Sequence, residues 1–222
     1  MPQKRKDLKI SGPDLWYLVG LIASDGCLSS DGRHIDITSK DFEFLSSIKQ
    51  RYGFTNKIGN KYNTIGQLNY HLQLANRSFY EFLLSIGLTP RKSLVIESVN
   101  VSSSNFCDFL RGLIDGDGGI QKWIHHSNRR EQWNLRIASG SKKFLIWIQN
   151  EIEKIIEVKG KLYAQGENIF VLKYGKMAAR IIANKCYYEN CFGLRGKVKL
   201  ALECINSYKG WERSKTIEFL KT

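Results

Sequence analysis

Leu110-Arg-Gly-Leu-Ile-Asp-Gly-Asp-Gly118 is an apolar run that closes on two carboxylates and a glycine, and Leu18-Val-Gly-Leu-Ile-Ala-Ser-Asp-Gly26 is its earlier counterpart. In register, Gly20-Leu21-Ile22 pairs with Gly112-Leu113-Ile114, and Asp25-Gly26 pairs with Asp117-Gly118. The correspondence continues outward. Ile35-Asp-Ile-Thr-Ser39 echoes Leu135-Arg-Ile-Ala-Ser139, and a helical pattern follows each, over 42–52 and 143–158. Farther on, Gly87-Leu-Thr-Pro-Arg-Lys92 echoes Gly193-Leu-Arg-Gly-Lys197. The chain is a tandem duplication of a unit of about 100 residues, and such repeats fix the fold before any single element does. Each unit runs helix, strand, strand, helix, strand, strand, helix: an α+β protein in which αββαββα occurs twice. The units are expected at 1–92 and 105–222, with the Ser- and Val-rich stretch 93–104 as a linker.

Within each motif, Gly20 and Ser24, and likewise Gly112 and Gly116, are four apart and share one helical face. Small residues at that spacing let helix backbones approach closely. Glycine in a helix costs about 1 kcal/mol against alanine, so its use in both copies predicts that the two motif helices pack together at a pseudo-two-fold seam. Asp25 and Asp117 then fall at helix C-terminal ends, where the macrodipole opposes a carboxylate, and near enough to repel each other. Bound divalent cations would relieve both penalties, and hard oxygen ligands favour Mg²⁺. The plain alternative is two unrelated Asp-Gly turns ending helices.

The 222 residues carry a net charge of +13. Residues 1–104 hold 13 Lys and Arg against 9 Asp and Glu, and residues 105–222 hold 21 against 12, so the parts contribute +4 and +9. Both halves are basic, which points to a polyanion, with nucleic acid ahead of a membrane because no basic amphipathic helix stands out. No apolar run approaches the ~20 residues of a membrane span, and an intracellular, soluble protein is expected, in a prokaryotic cytoplasm or an organelle. Five scattered cysteines imply no disulfide framework. Cys186 and Cys191 have no second Cys or His pair at zinc spacing.

The two motifs resemble those of the LAGLIDADG homing endonucleases of the single-chain, pseudo-dimeric type. The second copy departs at Arg111 and Gly116, and the first has Ala23 where the motif has its first Asp. The resemblance implies two antiparallel four-stranded sheets forming a saddle over double-stranded DNA, and a monomer that covers a long pseudo-palindromic site. It implies that Asp25 and Asp117, aided by the carbonyls of Ser24 and Gly116, hold two or more Mg²⁺ ions at the seam. It also implies phosphodiester hydrolysis across the minor groove to leave 3′ overhangs, in a protein encoded within an intron. Lys92 and Lys197 occupy equivalent places in the repeat and, in such a site, would stand beside the scissile phosphate; Lys40, ending the second strand, is a further candidate. For each lysine the alternative is a solvated surface charge.

A two-stranded ribbon fits the major groove, where all four base pairs are distinguishable. In 67–74, Leu68, Tyr70, Leu72 and Leu74 alternate with Gln67, Asn69, His71 and Gln73, a period of two with one polar face. That face, with Lys57 and Lys61 from the neighbouring strand, is the expected DNA surface of the first unit. In the second unit Gln132, Asn134 and Arg136, with Lys159, Lys161 and Tyr163, take the same part. The hairpin over 125–130 adds His125, Arg129 and Arg130. His125, His126 and Asn128 also suggest an HNH nuclease, but no further histidine lies at a suitable distance. The five tryptophans, Trp16, Trp123, Trp133, Trp147 and Trp211, are expected in cores or packed on sheets rather than as base-stacking platforms. Two other functions share the fold: a maturase acting on its host intron RNA, and a DNA-binding regulator without cleavage. Intact Asp25 and Asp117 weigh against the latter.

Overall fold

A computed structural model of the chain describes residues 10–207. Among them, residues up to Gly112 form one compact unit and those from Leu113 onward a second. Trp211 and the basic start before residue 10 lie outside the described residues.

The first unit runs α1 (Gly12–Asp25), β1 (Gly26–Leu28), β2 (His34–Ser39), α2 (Phe42–Tyr52), β3 (Ile58–Tyr62), β4 (Leu68–Ala75) and α3 (Arg77–Ser85). The second runs from α4 (Phe106–Asp115), whose first residues belong to the first unit, through β5 (Gly118–Ile124), β6 (Glu131–Ser139), α5 (Lys142–Ile156), β7 (Lys161–Ala164), β8 (Phe170–Tyr174) and α6 (Lys176–Cys186) to α7 (Arg195–Asn206). Each sheet is antiparallel with four strands, in the orders β1-β2-β4-β3 and β5-β6-β8-β7. The duplication is visible in the register itself. Gly26 pairs with Ile37 and Gly118 with Ile137; Leu28 pairs with Ile35 and Ile120 with Leu135.

Local signals account for the helix starts. Asp41, Asn76 and Ser141 each accept the amide of the residue three on, at 3.0, 2.8 and 3.3 Å, which satisfies an otherwise orphaned donor. α2 ends where Gly53 turns left-handed. In both sheets one face is apolar and covered by helices. Ile35, Ile37, Leu72 and Leu74 in the first unit, and Trp133, Leu135, Ile137, Leu172 and Tyr174 in the second, are nearly or fully buried. The opposite faces carry the polar set.

Three features differ from the expectation. The second unit has an additional helix, α7, alongside β5. Residues 93–104 are no loose linker: Ile96 and Val99 are buried, and the Asn100 amide donates to the Ile86 carbonyl at 2.8 Å. The division between the units falls inside α4, because the start of that helix packs on α1. There a Cβ on Gly112 would lie 2.1 Å from the Tyr17 carbonyl oxygen and 2.8 Å from the Leu21 nitrogen, a backbone approach that only glycine permits. Arg111 is buried beside it, bonded to Asp108 at 2.8 Å and lying over the Tyr17 ring. Among the described residues no helix is long and apolar enough to cross a membrane, and none of the five cysteines is in a disulfide.

Candidate functional site

The two motif turns are built alike. α1 ends on Asp25, α4 ends on Asp115 with Asp117 in the turn after it, and both Asp25 and Asp117 are exposed. The chain then enters an edge strand at Gly26 or Gly118. Gly26 is extended, at φ −90° and ψ 157°, so it does not cap α1 through a left-handed backbone as a helix-ending glycine commonly does. Space is what both glycines supply. A Cβ on Gly26 would lie 2.6 Å from the Ile22 Cα, and one on Gly118 2.6 Å from the Ile114 Cα.

A lysine closes each turn from a distant part of its unit. Lys92, buried, donates from Nζ to the Gly26 carbonyl. Lys197 donates to the carbonyls of Ile114, Asp115, Gly116 and Gly118 at 2.8, 2.6, 2.9 and 3.0 Å. The lysine-to-glycine contact is therefore the same in both copies. Neither is a solvated surface charge: each ammonium satisfies carbonyls at a helix C-terminus and opposes the negative end of the macrodipole. The motif carboxylates thus emerge from turns that are already partly compensated. Lys40, in contrast, is exposed at the bend after β2.

Asp115 was not singled out by the sequence reasoning. Its buried carboxylate accepts from the Tyr187 hydroxyl at 2.8 Å and the Leu194 amide at 2.7 Å, tying the segment that carries Lys197 to the motif helix. The signal was present: the first unit has Ala23 at this place. Ser24 turns its hydroxyl inward, to the carbonyls of Gly20 and Leu21 at 3.2 and 3.0 Å.

An exposed carboxylate at each turn suits a hard divalent cation whose shell is completed by water and phosphate oxygens. The Gly116 carbonyl already accepts one hydrogen bond, from the Lys197 ammonium at 2.9 Å. Among the described residues no group of three or more His, Cys, Asp or Glu side chains is placed to hold a metal. Asp25 and Asp117 are thus the carboxylates through which the motif turns could take one.

On the open face of the first sheet stand Asp36, Asn69, His71, Gln73 and Lys61, for Lys61 pairs with Asn69 and Asp36 with Gln73. Asp36 was missed, although the alternation Ile35-Asp36-Ile37 carried it. Its nearly buried carboxylate takes Lys61 Nζ at 3.1 Å and His71 Nδ1 at 2.8 Å. Two expected members lie elsewhere. Gln67 belongs to the β3–β4 turn, where its side-chain oxygen accepts from Asn63 at 3.2 Å. Lys57 precedes β3 and lines a cleft with Phe42, Ser46 and Lys49 of α2, on the helix side.

In the second sheet Gln132, Asn134 and Arg136 share the open face with Lys161 and Tyr163. Arg136 donates to the Gln165 side-chain oxygen at 3.1 Å, and the Asn134 side-chain oxygen is buried with no hydrogen-bond partner among the described residues. Lys173, which pairs with both Arg136 and Lys161, joins them unanticipated. Lys159 departs, because it lies before β7 and pairs with Glu153 of α5 at 3.0 Å. His125, Arg129 and Arg130 are exposed at the β5–β6 tip. Trp123 lies on the open face of the sheet and is 41% exposed, so it is no core residue. On the opposite face Lys122 bonds Glu131 at 3.0 Å, which lowers the Glu131 carboxyl and raises the Lys122 ammonium from their ordinary values.

Comparison with known proteins places this geometry. A model of the LAGLIDADG-like domain matches residues 12–87. Full-length WhiA (DUF199) from Thermatoga maritima superposes with a TM-score of 0.58 at 13% identity, over 96% of this chain and 68% of that one. The homing endonuclease I-WcaI bound to its DNA recognition sequence gives 0.58 at 13% identity, over 82% of this chain and 83% of that one. The LAGLIDADG meganuclease I-AabMI bound to uncleaved DNA gives 0.55 at 14%, over 88% and 89%. No curated protein sequence matches the chain. At such identities the structural likeness concerns the fold. Residues 12–87 match the model of the LAGLIDADG-like domain, and the chain has the fold of the solved structures on which it superposes.

Proposed function

We propose that the chain is a sequence-specific DNA endonuclease, acting as a monomer on a long pseudo-palindromic duplex site, with Asp25 and Asp117 as the metal-binding carboxylates. The observation that carries this is the repeated motif turn: an exposed Asp at a helix C-terminus, followed by a space-demanding glycine whose carbonyl a lysine holds. One such turn would be an ordinary helix end. Two, at equivalent places in a duplicated chain, favour a shared chemistry. Divalent metal ions bound there would activate a water and stabilise the leaving 3′ oxygen. The protein's own part is to hold the two carboxylates exposed, to fix the turns through Lys92 and Lys197, and to lay the polar sheet faces along the duplex. Those faces would combine phosphate contacts, which position, with base-edge contacts, which specify.

DNA binding without cleavage is the second reading. It is favoured by the occupation of the Gly116 carbonyl by Lys197, which leaves the second turn fewer oxygens for a metal. Selection of cleaved duplexes from a random library with Mg²⁺ separates the two, with Asp25→Asn and Asp117→Asn as controls. Both variants are expected to bind the selected site and not to cut both strands. Recovery of bound but uncut DNA from the unaltered chain would support the second reading; full cleavage by either variant would remove its Asp from the mechanism.

A further inference from the structure

One side-chain contact stands at the same place in both sheets and differs in charge. The register that pairs Gly26 with Ile37 and Gly118 with Ile137 makes Asp36 the counterpart of Arg136. It continues through Leu72 and Leu172 to Ile58 and Leu162. Gln73 therefore matches Lys173, and Lys61 matches Gln165. In the first unit Lys61 Nζ bonds the Asp36 carboxylate at 3.1 Å. In the second the Arg136 guanidinium donates to the Gln165 side-chain oxygen, also at 3.1 Å. The first contact cancels its own charge. The second joins a cation to a neutral amide and leaves the charge whole.

Arg136 is also the first of a row. It pairs across the ladder with Lys173, and Lys173 with Lys161, so three cations stand side by side on β6, β8 and β7 of the open face. Neighbouring strands lie about 4.8 Å apart, which gives the row a span of about 10 Å. Lys161 and Lys173 are exposed, and among the described residues none of the three is paired with a carboxylate. Like charges directly opposite each other destabilise a sheet, and two such pairs follow in succession here. A polyanion laid over the row would relieve both. Access to it is open: the β5 neighbour of Arg136 is Gly119, where even an added Cβ would meet nothing within 4 Å. The same row in the first sheet holds Cys27, Asp36 and Gln73, with no cation among them. Lys57, the counterpart of Lys161, precedes β3 and lies on the helix side.

We infer that the second unit anchors the complex: Arg136, Lys173 and Lys161 form a cationic row that binds the phosphates of duplex DNA, while the first unit's open face, whose Asp36 and Lys61 charges cancel internally, supplies the smaller share of phosphate binding. Duplex DNA presents one charge per ~1.7 Å of axis, so a row of about 10 Å faces about six of them. The inference rests on the DNA-binding reading above and gives it a polarity, with affinity concentrated on one half of the duplicated chain.

Binding of the full chain to a short duplex of random sequence, without divalent metal and at several salt concentrations, tests it. Arg136→Gln, Lys161→Gln and Lys173→Gln should each lower the slope of log affinity against log salt by about one unit, and the triple variant by about three. Lys122→Gln, on the opposite face and paired with Glu131, should leave the slope where it is. Asp36→Asn releases Lys61 and should steepen the slope by about one unit while tightening binding, an effect that a folding defect would not produce. In melts without DNA, Lys173→Gln should not lower the melting temperature, since it removes both like-charge pairs. A triple variant with the parent's slope, or no steepening in Asp36→Asn, would overturn the inference while leaving DNA binding intact. Tighter binding of a single-stranded RNA of equal length, lost in the same variants, would overturn the choice of duplex DNA as the partner. Failure of the unaltered chain to bind any DNA would overturn the underlying reading, and the inference with it.

Discussion

Replacing Gly112 by alanine should destabilise the protein, although alanine is the better helix former. The added Cβ would lie 2.1 Å from the Tyr17 carbonyl oxygen, whereas real Cβ atoms essentially never come within 3.0 Å of another heavy atom. The obstacle is backbone, so no side chain can swing aside, and the start of α4 must move off α1 by about 0.9 Å. A gap of that size forfeits roughly a quarter to a half of each dispersion contact across it. Overpacking of this kind costs about 1–3 kcal/mol and occasionally more. The gain in helix propensity is about 1 kcal/mol. The net expectation is a loss of about 1 kcal/mol, or roughly 2–4 °C in melting temperature for a chain of this length. Gly196, at the second position of α7, is the internal control, because a Cβ there meets nothing within 4 Å. Gly196→Ala should be neutral or mildly stabilising. Urea and thermal melts of the two variants beside the parent decide the matter. A Gly112→Ala variant as stable as the parent would show that α1 and α4 are not in backbone contact.

Lys197→Met removes an ammonium from four carbonyls; at about 1.5–3 kcal/mol for a charged hydrogen-bonding group, melts should show a loss in that range, and Lys197→Arg should recover part of it. Hydrogen bonding to His34 lowers the Asp31 carboxyl to about 2 from an ordinary 3.8. A depressed acid stabilises the fold above its unfolded value and loses that contribution as pH falls through the folded one. Asp31→Asn should accordingly flatten the stability profile between pH 4 and pH 2, and an unchanged acid limb would contradict the assignment. With both halves basic, DNA affinity should fall steeply with salt, about a thousand-fold or more from 50 to 200 mM if six to ten phosphates are neutralised; a flat titration would count against broad phosphate contact.

Periodicity and repetition made the architecture legible. The pattern at 42–52 coincides with α2, and the alternation in 68–74 yields the two faces of β4 because a strand's side chains point alternately. Where the alternation failed, a strand had not begun or had ended: Lys57, Lys159 and Gln67 share the spacing of true face residues but lie beyond the ladder. α7 escaped notice because it has no counterpart in the first copy. At the motif turns, sequence located Asp25, Asp117 and both glycines. It could not reveal that Lys92 and Lys197 fold back on the turn carbonyls, since nothing in their spacing encodes a contact made across a unit. Asp36 was legible in principle. A search for positive charge passes over an acid that pairs with the Lys61 and His71 side chains beside it.

The Lys197 contacts also bear on when the second motif becomes complete. Its carbonyl partners lie 79 to 83 residues earlier in the chain, and Asp115 waits equally long for the Leu194 amide. As the chain leaves the ribosome, α4 and the whole of the second sheet are made before either partner exists. Contacts at such separation are closed late in folding. A product cut short before residue 194 would keep both motif carboxylates yet leave the second turn unbraced, so the geometry of that turn is coupled to synthesis of the segment that carries Lys197. Shortened forms of this chain should therefore keep the ladder of the second sheet while losing the fixed shape of its motif turn.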